Sequence, residues 1–281
     1  MIHDKPDCEP RTRNVNQPAN STLLAVDVGN NRVKIGRFEW TGAAGIPEPG
    51  QIWVLQSGGG PLDAVVDQCH AGGASLDWWI GSVNRPAASR LIDWLGEHRP
   101  QDRLTLLASG DLPIKVELPR PDMVGIDRLL DAVAVNRIRA PGRQAVVVDL
   151  GTAITVDLIS AEGAFLGGAI LPGVEMSARA LHEYTDMLPQ IAMSELADPP
   201  EPIGKATQPA MRSGVYWGTI GAVRELVRRM TAGAPQDPEI YLTGGAAPII
   251  AGLFGPAARH APHLTLSGAA LTAWAMAGRF A

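Results

Sequence analysis

The turn Asp27-Val28-Gly29-Asn30-Asn31 sets a carboxylate beside a glycine that lets backbone N–H groups close on a ligand. Turns of this kind form anion-binding nests, and an adjacent carboxylate suits the Mg²⁺ that accompanies a polyphosphate. Arg32, Val33 and Lys34 follow, and Lys34 adds a positive charge to the same place. The plainer reading is a hairpin turn whose Asp and Asn side chains bond their own backbone. A second carboxylate, Asp149, ends the apolar run Val146-Val147-Val148 and leads into Gly151 and Thr152. A charge in that setting needs a cation or a set of N–H donors. Gly125-Ile126-Asp127-Arg128 opens a helix. Asp127 is there either a first-turn charge favoured by the helix dipole, or a general base beside an arginine that orients an anionic substrate. Gly167 to Gly173 and Thr243 to Gly245 read as Gly-rich loops after apolar strands, further places where backbone closes on a nucleotide.

Other chemistries find no support. The chain has no H-E-x-x-H, no G-x-S-x-G and no G-x-x-x-x-G-K-[ST]. Its two cysteines, Cys8 and Cys69, make neither a disulfide framework nor a zinc cluster. A net charge of −5 without a basic stripe argues against nucleic acid as a partner, since phosphate contacts need clustered Lys and Arg. No apolar run reaches the roughly 18 residues of a membrane span; the nearest, Leu264 to Ala275, is short and interrupted by Ser267 and Gly268. The polar first twenty residues carry no apolar segment of a secretory signal, so the expectation is a flexible tail on a cytoplasmic protein.

The elements that must position these residues alternate between two periods. Thr22–Asp27 and Arg32–Phe38 read as strands joined by the Val28–Asn31 turn, followed by strands at Ile52–Leu55, Trp78–Ser82 and Leu104–Leu107. Helices are expected over Pro61–His70 and Ala87–Glu97. Beyond residue 120 the helical spacing of Gly125–Arg139 precedes strands at Ala145–Asp149 and Ala153–Ile159, helices at Glu175–His182 and Val215–Met230, and a strand at Ile240–Leu242. Strands interleaved with helices indicate an α/β fold. LLAVDVGNNRVKIGRF and AVVVDLGTAITVDLIS match as strand, Asp, Gly turn, strand, and their aspartates lie roughly 120 residues apart. That distance suits a domain, so the echo predicts two similar halves.

In order along the chain, DVGNN, GIDR, DLGTAITVD, GGAILPG, LHEYTDMLP and YLTGG resemble the motifs of type III pantothenate kinases, and the resemblance spans roughly Leu23 to Ala275. It implies the duplicated actin-like fold of the acetate and sugar kinase/Hsp70/actin superfamily, with a tail at 1–20, halves at 21–120 and 121–281, and the active site between them. It implies ATP-dependent phosphorylation of pantothenate to 4′-phosphopantothenate, the first step towards coenzyme A. Mg²⁺ or another divalent cation, a monovalent cation (K⁺ or NH₄⁺) and a homodimer belong to the same implication. By resemblance, Asp27, Val28, Gly29, Asn30, Asn31, Arg32, Val33 and Lys34 form the first phosphate loop, and Thr152 contacts ATP. Asp127 is the proton acceptor, Gly125, Ile126, Asp127, Arg128 and Thr185 bind pantothenate, and Asp149 holds the monovalent cation. Two positions depart from the family pattern: Asn31 stands where the family has Thr or Ser, and Leu118 where a tyrosine often precedes G-x-D-R. The competing expectations are another small-molecule kinase of this fold, such as a sugar kinase, and a non-catalytic regulatory relative.

Overall fold

A computed structural model of the chain describes residues 22–42, 45–69, 75–250, 254 and 258–279. The expected tail lies outside the described residues. The first half runs β1 (Thr22–Val28), β2 (Arg32–Phe38), β3 (Gln51–Gln56), α1 (Leu62–Cys69), β4 (Leu76–Ser82), α2 (Arg85–His98) and β5 (Arg103–Leu106). Its sheet has the order β3-β2-β1-β4-β5, with β1 to β3 antiparallel and β4 and β5 parallel to β1. After α3 (Ile126–Asn136) the second half repeats the pattern with β6 (Ala145–Leu150), β7 (Ala153–Ile159), β8 (Phe165–Pro172), α4 (Val174–Glu183), α5 (Thr207–Met230), β9 (Glu239–Thr243), α6 (Ala247–Ile250) and β10 (Ala258–His260). Its order, β8-β7-β6-β9-β10, and its strand directions are those of the first sheet. The duplication read from the two Asp turns is therefore a duplication of whole sheets. Asp27 on β1 and Asp149 on β6 occupy equivalent places, each paired across its hairpin, with Lys34 and Thr155 respectively.

Strand alternation sorts the core into three layers. Leu24, Val26 and Ile35 face α1 and α2, packing on Leu91 and Leu95. Val146, Val148 and Val156 face the opposite outer layer, against Tyr216, Ile220 and Val223 of α5. Between the sheets, Leu23, Ala25 and Trp79 from one and Val147, Ile159 and Tyr241 from the other close on α3 and on α7 (Leu264–Met276). The apolar run weighed above as a short membrane candidate is α7. It is buried from Leu264 through Trp274, as a helix apolar on every side must be. No helix among the described residues is long and apolar enough to cross a membrane.

Two expectations are corrected. Gly167–Gly173 is no free loop, because residues up to Pro172 form the edge strand β8, paired with β7. Its glycines have a packing reason: a Cβ on Gly168 would collide with the Val156 carbonyl and the Asp157 carboxylate. The helix expected from Val215 begins at Thr207, with Pro209 inside its first turn, where a missing N–H costs nothing.

Candidate active site

The hairpin of β1 and β2 brings Lys34 Nζ to 3.7 Å from Asp27 Oδ2. Burial, opposed by Lys34 and reinforced by Asp127, pushes the Asp27 carboxyl up to about 6. The turn that follows is tied down on one side. Gly29 N donates to Arg32 O at 3.0 Å, Ser57 Oγ donates to Gly29 O at 2.8 Å, and Ser57 N donates to Asn31 O at 3.0 Å. Asn84 Nδ2 donates to Gly29 O and Asn30 O at 3.4 and 3.3 Å. Asn30, Asn31 and Arg32 are exposed.

Helix α3 starts at the Gly125 cap and carries Asp127 in its first turn. The Asp127 carboxylate accepts from Arg128 N at 2.8 Å, and burial raises its pKa against that bond and the Arg128 charge. Arg128 reaches away from Asp127 to β7. Its Nε lies 3.0 and 3.1 Å from the two oxygens of Asp157, its Nη2 also bonds Asp157 Oδ1, and its guanidinium sits 5.5 Å over the Phe165 ring. The cation expected to face an anionic substrate is thus held in a buried bidentate pair. One helical turn beyond Asp127, Asp131 is buried and accepts from Thr265 Oγ1 of α7 at 2.8 Å. Burial first, then Asp149, Asp127 and Asp27, raise its pKa well above the ordinary value.

Asp149, next to the last residue of β6, lies beside the turn at Gly244, which has φ +90° and packs against the Asp149 carboxylate. Burial pushes Asp149 up to about 7, with Lys34 opposing and Asp27, Asp127 and Asp157 adding to the rise. Thr152 O accepts from Gly173 N at 3.1 Å, which joins the second Asp turn to the end of β8. Strands β1 and β6 and helix α3 thus carry Asp27, Asp149 and Asp127, whose raised pKa values the Lys34 charge opposes, and Asp131 and Asp157 add negative charge beside them. Thr185 belongs to a different setting: it is exposed just after α4, and its Oγ1 donates to Leu181 O at 2.7 Å. Leu118 packs onto the central core beside Gly167.

Carboxylates crowded this way favour cations. Among the described residues no three His, Cys, Asp or Glu side chains stand close enough to hold a metal alone. A divalent ion that accompanies a polyphosphate takes one or two carboxylates and completes its shell with phosphate oxygens and water. Asp27, next to the tied-down turn, fits that part. Asp131, Asp157, Asn84 and Ser57 were not singled out by the sequence. Asp131 carried one visible signal, its i+4 spacing from Asp127 on an otherwise apolar helix face. A cavity of about 620 Å³ between β7–β8 and α4–α5 is lined by Ile154, Leu171, Leu181, Met211 and Val215 and by none of these acids.

The family model for type III pantothenate kinase matches residues 23–229. The chain belongs to the type III pantothenate kinase family. The type III pantothenate kinase of Acidiphilium cryptum (strain JF-5) is 34% identical over 265 residues, covering 89% of this chain and 93% of that one. The enzyme of that name from Dehalococcoides mccartyi (strain ATCC BAA-2266 / KCTC 15142 / 195) is 43% identical over 241 residues, 82% and 88% of the two chains. Among solved structures, the activator of the 2-hydroxyisocaproyl-CoA dehydratase from Clostridium difficile with bound ADPNP has a TM-score of 0.55 at 13% identity, covering 92% of this chain and 96% of that one. Component A of the Acidaminococcus fermentans (R)-2-hydroxyglutaryl-CoA dehydratase has a TM-score of 0.50 at 13% identity, covering 92% and 100%. At such identities the likeness concerns the fold alone, and together with the doubled sheet order it is the actin-like fold.

Proposed function

We propose that this type III pantothenate kinase family member transfers the terminal phosphoryl group of ATP to pantothenate, giving 4′-phosphopantothenate, beside the carboxylates that β1, α3 and β6 carry. Family membership supports the reaction and sets the sugar-kinase reading aside. One arrangement supports the location: Asp27 and Asp149 hold equivalent places on β1 and β6, Lys34 lies 3.7 Å from Asp27, and its charge opposes the raised pKa values of Asp27, Asp127 and Asp149. A non-catalytic relative has no need to hold three such carboxylates together.

Phosphoryl transfer depends on positioning and charge neutralisation more than on covalent help. In this reading residues 27–34 hold the phosphates, with Asp27 facing their divalent ion and Lys34 a phosphate oxygen. A divalent ion there, when bound, neutralises charge on the transferring group. Asp127 takes the proton of the pantothenate hydroxyl as its oxygen bonds to phosphorus and the bond to ADP breaks. Burial makes that carboxylate a stronger base than a solvated one. Arg128, held by Asp157, acts from a fixed place, either on the substrate's edge or through the position of α3. Asp149 and Thr152 serve the monovalent cation and the nucleotide, and Thr185 contacts pantothenate in a homodimer. The test is direct: purified protein with ATP, Mg²⁺ and pantothenate, with and without K⁺, analysed by mass spectrometry. Formation of 4′-phosphopantothenate is expected, and its absence under all these conditions would overturn the reading.

A further inference from the structure

Three carbonyl groups of the turn after β1 are drawn to one side. Gly29 O is held by Ser57 Oγ and Asn84 Nδ2, Asn30 O by Asn84 Nδ2, and Asn31 O by Ser57 N. Each peptide unit is planar and trans, so its N–H points opposite to its C=O. The bonds that pull the Gly29 and Asn30 carbonyls towards β3 and α2 therefore turn the N–H groups of Asn30 and Asn31 away from those elements. Backbone N–H groups aimed together are what a polyphosphate oxygen binds.

Asn84, with Ser57, ties this turn to the rest of the first half, and Asn84 alone reaches two of its carbonyls from one side chain. Its Oδ1 accepts from Ala87 N at 3.1 Å and caps α2, while its own N donates to Ser82 Oγ at 3.1 Å. The capping oxygen and the clamping nitrogen belong to one amide, so the start of α2 and the shape of the turn are set together. Arg90, further along α2, donates from Nη2 to Ser57 O at 2.5 Å and steadies the second clamp.

We propose that Asn84 is a positioning residue for the nucleotide phosphates, acting through the Gly29–Asn31 turn rather than by touching substrate. The inference rests on the kinase reading above. The cap needs only an acceptor, whereas the clamp needs a donor that reaches two carbonyls. Ser and Asp keep the acceptor and rank with Asn as N-caps. Asp has no donor, and the Ser hydroxyl is one bond shorter. Asn84→Ser is expected to melt with the wild type. Its KM for ATP should rise about tenfold, the worth of two modest hydrogen bonds, with kcat and the KM for pantothenate within about twofold. Amide hydrogen exchange at residues 28–31 should quicken in the same variant without nucleotide. Asn84→Asp serves in its place if the serine variant does not fold. A folded variant with the wild-type KM for ATP, or with a loss confined to kcat, overturns the proposal. If the wild type itself makes no 4′-phosphopantothenate, the kinase reading fails, and unchanged exchange at 28–31 then overturns the clamp by itself.

Discussion

Asp127 separates chemistry from architecture more cleanly than any other side chain here. Its place in the first turn of α3 would by itself be worth only about 0.3–1 kcal/mol through the helix dipole. As a proton acceptor it is worth far more. Asp127→Asn keeps the size and the hydrogen bond from Arg128 N, and should lower kcat by about 10²–10⁴-fold while leaving substrate KM values close to wild type. A soluble variant that turns over within about twofold of wild type would remove the general-base role. Asp27 and Asp149 make a second prediction. Burial pushes their carboxyls up to about 6 and about 7, against an ordinary value of 3.8. Between the ordinary value and those raised ones the folded chain binds protons that the unfolded chain has released, so stability falls as pH rises through that window. Without ligands, the melting temperature should be lower at about pH 8 than at about pH 5.5, and Asp149→Asn should reduce the difference. A slope of the opposite sign, or one untouched by the substitution, would contradict the buried-charge picture.

At the scale of elements, α3 and α7 make the closest approach that can be tested. Gly268 of α7 lies against α3 so tightly that a Cβ would collide with the Leu130 carbonyl, a backbone atom that cannot swing aside. Gly268→Ala should cost about 3 kcal/mol in urea unfolding, at the upper end for overpacking, because two buried helices must part. A loss below about 0.5 kcal/mol would mean the crossing is looser than described. Elements with a clear signature were legible in the sequence: β1 is an apolar run closed by a Gly turn, β2 alternates, and α3 repeats Ile126, Leu129, Leu130 and Val133 on one side. α7 was not, since a helix apolar all round has no period to read. β8 was missed because Gly167, Gly168 and Pro172 look like a loop, when Gly168 in fact makes room for Asp157. The site divided along similar lines. Asp27, Asp127 and Asp149 announced themselves as carboxylates at glycine-bearing turns. The Arg128–Asp157 and Thr265–Asp131 pairs join residues distant in the chain, and no local pattern specifies such partners.

The whole molecule is a stack of five layers, with helices outside both sheets and α3 and α7 between them. Two predictions belong to this scale. With Asp149 as the cation ligand, activity should rise severalfold when K⁺ or NH₄⁺ replaces Na⁺ at constant ionic strength; equal rates in all three salts would count against the assignment. With Thr185 reaching a pocket shared between two copies, light scattering should give twice the 29.7 kDa of one chain, and an active monomer would refute the dimer. The central layer also imposes an order on biosynthesis. β1 leaves the ribosome before every other described strand, yet Leu23 and Ala25 on its inner side are covered by a helix that follows all ten strands. Translation at roughly 5–20 residues per second keeps that face waiting for ten seconds or more. During that interval the part of this face that α7 covers in the finished fold stays exposed on the nascent first half.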